Sequence, residues 1–231
     1  MIVFRTCPIH QITKGASYFF PSPAGPFSPG EPTKCIWLPQ REEATVLLEK
    51  YLNEITYIHH VVHLPSIRIL IETLYDDLSQ QVDIRPGNIA LLLSILASAT
   101  FSWNTRDPDY IFSSVDEADR QSASWVKATL DVLEYSRRTT SGALEDVQAM
   151  IILSFVVCSL ESMSSRYRNL IGTSILLSRE LLLHRIDHPS TSAMVALPQP
   201  DSVQAEIGRR VWWYLAATDW YVSYLCPHFQ G

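Results

Sequence analysis

The chain has 231 residues and a mass of 26.2 kDa, which is enough for one substantial hydrophobic core, and its hydrophobic content of 47% argues against general disorder. The formal charge is −6 and no basic run is longer than two residues, so we expect no direct nucleic-acid binding by this chain. The longest apolar run, residues 149–160, is too short for a membrane span, and residues 1–15 contain no secretory h-region. We therefore expect an intracellular chain that does not contact membranes.

Residues 1–37 are predicted to form a flexible, proline-rich arm, and residues 38–231 a helical domain. Five prolines and two glycines within residues 21–32 disfavour both a helix and an interior strand. We expect residues 1–33 to be dispensable for folding. The competing expectation is that the arm's phenylalanines pack onto the last helix of the chain; these are Phe19, Phe20 and Phe27.

Apolar residues recur at spacings of three and four throughout the rest of the chain, and this period is typical of amphipathic helices. Ser66 is the expected N-cap of the second helix, Pro86 the opening residue of the third, and Ser164 or Ser165 the cap of the sixth. No period-two pattern predicts a strand. The sequence therefore predicts an all-α fold of seven helices in stacked antiparallel pairs, over residues 44–58, 66–78, 88–101, 115–137, 143–163, 167–185 and 206–220.

The last of these helices is apolar on two opposite faces. One stripe, expected to face the core, consists of Val203, Ile207, Val211, Tyr214, Leu215, Thr218, Val222 and Leu225. Trp213, Trp220 and Tyr224 fall on the other side and form a candidate partner surface. The sequence ends soon afterwards, at Gly231. We therefore expect the aromatic side to be covered by the N-terminal arm, by a protein partner or second copy, or by further residues of a longer protein.

The same helix carries a motif, Glu-x-x-Arg-Arg-x-Trp-Trp followed by an aspartate, formed by Glu206, Arg209, Arg210, Trp212, Trp213 and Asp219. A second motif begins with Leu38 and Pro39, continues through the helix at residues 44–55, and ends in a His-x-Pro-Ser connector at residues 63–66. Both motifs resemble the fungal-specific transcription factor domain, the middle homology region of zinc-cluster regulators. The resemblance covers residues 38–231, with its specific matches at the two ends.

This resemblance implies a helical regulatory domain in a nuclear transcription regulator that responds to a protein partner or to a small-molecule effector. In that family a separate two-zinc, six-cysteine cluster contacts DNA. Cys7, Cys35, Cys158 and Cys226 are too far apart to form such a cluster, and no Cys-x-x-Cys pair is present. We therefore expect no zinc or other cofactor in this chain, and a chain that ends about midway through the family domain.

Two other groups of residues, histidines and aspartates, are of the types found in metal or catalytic sites. His59 and His63 are four residues apart, a spacing that places two imidazoles on one face of a helix. No obvious third ligand accompanies them, so a helix end and turn are favoured over a zinc site. Asp76 and Asp77 lack the second acidic position that a magnesium-diphosphate site requires, and Asp107 and Asp109 lie in a loop around Pro108, so these carboxylates are expected to be solvated. No nucleophile elbow, phosphate loop or dinucleotide motif is present. We therefore predict no catalytic residue and no enzyme.

The alternative is an all-α enzyme or small-molecule-binding protein of fungal secondary metabolism, with a pocket lined by Trp and Tyr residues. A metal-binding motif in flanking sequence would favour this alternative. A cysteine-rich basic segment in flanking sequence would favour the regulator.

Overall fold

A computed structural model describes residues 2–13, 34–188 and 198–225. It confirms the all-α prediction, since each of the seven predicted helices is present. Their observed bounds are α2 (Arg41–Glu54), α3 (Leu64–Gln80), α4 (Pro86–Phe101), α5 (Val115–Thr139), α6 (Leu144–Glu161), α7 (Ser165–Glu180) and α8 (Val203–Leu225). Single 3-10 turns follow α2 at Thr56–Ile58 and α7 at Leu183–Arg185. No helix within the described ranges combines the length and the apolar character needed to cross a membrane.

Helix α4 lies at the centre of the fold. Every residue from Ile89 to Thr100 is buried, and α2, α3, α5 and α6 all pack against it. A helix without a polar side can be stable in water only if other elements surround it. The sequence predicts the same position, since the leucines of residues 88–101 leave almost no polar side, and the structure confirms it. Outside this centre, α6 packs against α7, and α7 packs against α8.

The N-terminal region differs from the predicted arm. Residues Ile2–Thr6 form strand β1, residues Ile9–Ile12 form a short helix α1, and residues Lys34–Leu38 form strand β2. The two strands are parallel, with Ile2 opposite Lys34 and Thr6 opposite Leu38. The prediction of an irregular arm is therefore wrong for these three elements, as is the prediction that the chain has no strand. The proline-rich residues 21–32 lie outside the described residues.

Contacts with the helical core explain why this region is ordered. Ile9 is fully buried, and its backbone N–H donates to both carboxylate oxygens of Glu43 on α2, at 3.0 and 3.1 Å. The hydroxyl of Thr13 donates to Glu117 on α5 at 2.8 Å. Lys34 forms an ion pair with Asp131, also on α5. The residues that flank the undescribed segment 14–33 are therefore both bonded to the same helix.

Two serines begin helices by the expected mechanism, because a side-chain oxygen accepts one of the free N–H groups of a first turn. Ser114 accepts from Glu117 N, and Ser164 accepts from Tyr167 N, both at 3.2 Å. The N-cap expected at Ser66 is wrong by three residues, since His63 occupies the N-cap position of α3, without a capping bond from its side chain. Pro65 lies in the first turn of α3, where the absence of its N–H has no cost.

We predict that Ile9→Ala lowers the free energy of unfolding by about 2 to 5 kcal/mol, the range for removing a fully buried aliphatic side chain. His10→Ala is the matched control, since His10 is exposed on the same short helix and should change stability by about 0.5 kcal/mol or less. Urea unfolding followed by circular dichroism measures both values. Equal midpoints for the two variants would show that residues 2–12 are an independent arm, as first expected.

Candidate functional site

The candidate site is built on α8, whose buried side is fixed by four residues. Ala205, Ile207, Val211 and Leu215 are buried against the preceding helices. The predicted core stripe is therefore correct at its centre. At its first position it is wrong, because Val203 is exposed in the first turn of the helix, before α8 reaches the core. The side chain of Leu225 lies outside the described residues.

Gly208 allows α8 to approach the turn that follows α7. A Cβ atom at this position would lie 2.6 Å from Cδ1 of Ile186 and 3.4 Å from Cδ2 of Leu183. The first distance is shorter than real contacts between carbon atoms, so a side chain here would push the turn away. Gly208 is not one of the six motif residues, so the sequence analysis did not predict its role. The glycine inside the Glu-x-x-Arg-Arg pattern was the available signal, since an isolated glycine in a helix often marks close packing.

The charged residues of the motif hold the chain that precedes α8. Arg209 donates to Asp187 at 2.8 Å and to the carbonyl oxygen of Pro200 at 2.7 Å. Glu206 accepts from Arg210 at 2.8 Å, and this contact lowers the pKa of Glu206. A longer contact of 3.4 Å joins Glu206 to Arg209. One guanidinium group therefore binds both Asp187 and Pro200, which are 13 positions apart in the sequence.

The opposite side of α8 is rich in exposed aromatic side chains. Trp213, Trp220 and Tyr224 are 67%, 73% and 74% exposed, and Tyr221 is also exposed. The rings of Trp220 and Tyr224 are stacked, with centroids 6.1 Å apart and an angle of 17° between their planes. We call these four residues the aromatic face. Exposed aromatic clusters of this kind mark interaction sites in soluble proteins.

The remaining motif residues border the aromatic face. Trp212 is half-buried and its ring lies 5.5 Å from that of His184. Asp219 is exposed and lines a shallow groove of about 350 Å³ between α7 and α8, together with Trp220 and Arg179. The six motif residues thus have three different roles. Trp212 packs against a neighbouring ring, three residues form ion pairs, and Trp213 and Asp219 lie at the surface.

The three histidines between α2 and α3 do not converge. His59 is buried, with its ring 5.5 Å from Phe155 and 5.6 Å from Tyr214 on α8. Its neighbour His60 is exposed, with a φ of 54°. His63 pairs with the hydroxyl of Ser66 at 2.8 Å. In the described ranges no three His, Cys, Asp or Glu side chains could hold a metal ion together.

The acidic candidates lie in ion pairs rather than in a shared site. Asp76 pairs with Arg41 at the surface. Asp107 pairs with Lys50 at 2.9 Å, and both side chains are largely buried beside the ring of Trp103. Asp77 has no metal-binding partner within the part of the chain that is described.

Three cysteines are free thiols: Cys7, Cys35 and Cys158. Burial raises the pKa of Cys7 and of Cys35, which disfavours the reactive thiolate at both positions. Cys226 lies outside the described residues.

The helical core and the motif at α8 define a class of all-α domain that displays aromatic residues on its last described helix. A family model described as the fungal specific transcription factor domain matches residues 49–228. This chain belongs to that family. The resemblance found in the two sequence motifs is therefore confirmed.

Three fungal transcription factors are similar to the chain. Probable transcription factor lepB of Aspergillus flavus is 38% identical over 95% of this chain and 39% of its own length. Transcription factor TAS2 of Pyricularia oryzae is 29% identical over 84% of the chain and 25% of its own length. Agnestins biosynthesis cluster transcription factor AgnL11 of Paecilomyces divaricatus is 26% identical over 81% of the chain and 27% of its own length. No solved structure matches.

The chain thus spans only a quarter to two-fifths of the length of these relatives. All three are named as transcription factors, which agrees with the family and supports the predicted regulatory class. Their names also suggest a role other than catalysis.

We predict that the chain loses stability between pH 6.5 and pH 4 because of His59. Burial lowers the pKa of His59 to about 4, whereas the unfolded value is 6.5. As the pH falls, the unfolded chain therefore binds a proton at His59 before the folded chain does. The free energy of unfolding falls by about 3 kcal/mol between pH 6.5 and pH 4 as a result, and this contribution is fully present only above pH 6.5.

The variant His59→Phe tests this prediction, because it keeps a ring between Phe155 and Tyr214 and removes the titration. Neither ring nitrogen of His59 has a hydrogen-bond partner within the described ranges, so no bond is lost. Urea unfolding at pH 7, 6 and 5 should show a smaller loss for this variant than for the parent. His184→Gln, at an exposed histidine, should keep the parent's pH dependence. A parallel decline in all three proteins would assign the acid sensitivity to other groups.

We also predict opposite results from substitutions on the two sides of α8. Val211→Asp places an unpaired carboxylate in the core and should unfold the chain. The double variant Trp213→Ser/Trp220→Ser should retain helicity and reduce self-association, since each ring carries on the order of 150 to 250 Å² of surface. Circular dichroism and size-exclusion chromatography measure these properties. Unfolding of the double variant alone would show that the two sides are assigned in reverse.

Proposed function

We propose that this chain is the regulatory domain of a fungal transcription factor and that it acts through protein contacts at the aromatic face of α8. The observation that carries the proposal is the exposure of Trp213, Trp220 and Tyr224 on the helix that holds the family motif. Trp and Tyr are enriched where interfaces gain most of their binding energy. The rigid docking of Val211 and Leu215 presents these rings without a large ordering cost.

The proposed contact with DNA is made elsewhere in the regulator. The formal charge of −6 disfavours attraction to phosphate backbones, and most arginines on α8 and α5 are paired with carboxylates. In this proposal a nuclear location and a separate DNA-binding module come from the whole regulator. The name of the relative AgnL11 supports a gene cluster of secondary metabolism as the target.

A regulatory role without catalysis also agrees with the side-chain chemistry. The polar residues first considered as catalytic or metal-binding are engaged in ion pairs, as for Asp76 and Asp107, or in an aromatic cluster, as for His59. A side chain held by such contacts differs from a free acid or base that faces a substrate.

A reporter assay tests the proposal. The full chain is fused to an unrelated DNA-binding domain in a fungal host, and reporter output is compared with that of the DNA-binding domain alone. We expect a difference of several-fold, which Trp213→Ser/Trp220→Ser reduces to the level of the DNA-binding domain alone. Tyr110→Ser is the matched control, because Tyr110 is equally exposed but lies in the loop before α5.

Two outcomes would contradict the proposal. An inactive parent fusion that accumulates normally would mean that the chain has no regulatory contact of its own. Equal output from the parent and the double tryptophan variant would place the contact on another surface.

A further inference from the structure

A second feature of the fold is a pocket of about 840 Å³ between α5, α6 and α7. Apolar side chains form much of its wall, namely Leu130, Leu133, Met150, Leu170 and Leu177. Its volume lies within the range of roughly 300 to 1,000 Å³ that is usual for small-molecule sites. It extends from the exposed side chains Thr173 and Leu176 to the buried carboxyl group of Asp146.

Asp146 is the unusual residue of this pocket. Only 3% of it is exposed, and its Oδ2 accepts a hydrogen bond from Ala143 N at 2.8 Å. Its Oδ1 has no hydrogen-bond partner among the described residues. The Ser136 hydroxyl, which also pairs with that of Thr140 at 3.2 Å, lowers the pKa of Asp146 as a hydrogen-bond donor to its carboxyl group. Burial is the larger effect and raises this pKa.

The backbone around the carboxyl group is shaped to admit it. A Cβ atom at Gly87 would lie 3.0 Å from Oδ2 of Asp146, so a larger residue at the start of α4 would press against the carboxyl group. Gly142 has a φ of +78°, and a Cβ atom there would lie 2.5 Å from Leu177. Gly142 therefore lines the pocket, whereas Gly87 packs against the carboxyl group of Asp146.

Nearby cations do not neutralise Asp146. Arg137 donates two hydrogen bonds to Glu134, both at 3.0 Å, and Arg166 is paired with Glu161. The charged residues that line the pocket are three carboxylates, those of Glu134, Asp146 and Glu180, and the two guanidinium groups of Arg137 and Arg166. A buried carboxylate that is not paired with a cation favours a ligand that brings one.

We propose that this pocket binds a small apolar molecule with one protonated amine, whose ammonium group donates to Oδ1 of Asp146 while its apolar part lies against the leucines. The proposal rests on the proposed regulatory function, in which this molecule is the effector. Helix α7 forms one wall of the pocket and packs against α8. A bound ligand would therefore restrain the helix that supports the aromatic face, which is a physical route from effector to partner.

Dansylcadaverine is a suitable probe, because it joins an apolar fluorescent group to a primary ammonium group. We expect its fluorescence to rise on addition of the full chain at pH 7, and its affinity to fall by at least about tenfold in Asp146→Asn, which keeps an oxygen for Ala143 N. Glu180→Gln makes the same change in charge at an exposed lining residue and should alter affinity by less than about threefold. N-acetylated dansylcadaverine, which is neutral, should not discriminate between parent and Asp146→Asn.

A second variant covers the case in which Asp146→Asn does not fold. Thr173→Trp adds a ring at the exposed side of the pocket, away from Asp146, and should abolish binding while circular dichroism stays unchanged. Equal affinity in parent and Asp146→Asn, equal losses in Asp146→Asn and Glu180→Gln, or full binding by Thr173→Trp would each overturn the proposal.

The reporter assay distinguishes this site from the proposed function. Probe binding that depends on Asp146, together with an inactive fusion, would contradict the regulatory role and leave the amine site in place. An active fusion with no probe binding by the parent chain would contradict the amine site alone.

Discussion

The burial of α4 on all sides is the constraint on which the rest of this structure depends. From Ile89 to Thr100 it presents no polar side to water, so α2, α3, α5 and α6 must surround it. The few hydroxyl groups within it are accommodated locally where they can be, as when Ser94 donates to the carbonyl oxygen of Leu91 at 2.8 Å. Each surrounding helix gains its apolar contacts at this centre, which leaves the outer side of each free for other roles.

Two features lie on the outer sides of these helices, namely the aromatic face of α8 and the pocket between α5, α6 and α7. Helix α8 buries Val211 and Leu215 and displays Trp213 and Trp220, while Arg209 connects it to Asp187 and to the carbonyl oxygen of Pro200. Helices α5, α6 and α7 separate at one side and leave the pocket that contains Asp146. Because α7 contacts both the pocket and α8, the proposed effector site and the proposed partner surface share one supporting element. This arrangement suits a domain that converts ligand binding into a change at its surface.

Local patterns were sufficient for the helices and insufficient for the strands. The spacing of apolar residues identified α2 to α8 because each side chain's environment follows from its position on one helix. Strands β1 and β2 are five residues each, are parallel, and pair Ile2 with Lys34, so no hairpin turn or long alternation marks them. No local pattern marks α1, the helix that contains Ile9, either, because a helix of four residues is too short to show a recognisable period. The backbone N–H of Ile9 donates to Glu43, which is 34 positions away in the sequence.

The sequence by itself determined the helical class, the central position of α4, the two-sided character of α8 and, through the two motifs, the family. Each of these properties follows from the types and spacing of side chains within one helix or one motif. Only the tertiary structure decided which polar groups meet. It buried His59 between Phe155 and Tyr214, left Oδ1 of Asp146 without a hydrogen-bond partner among the described residues, and made Gly208 the point where α8 meets Ile186. Contacts between distant elements depend on the exact distances at which helices pack, and no single-helix pattern encodes those distances.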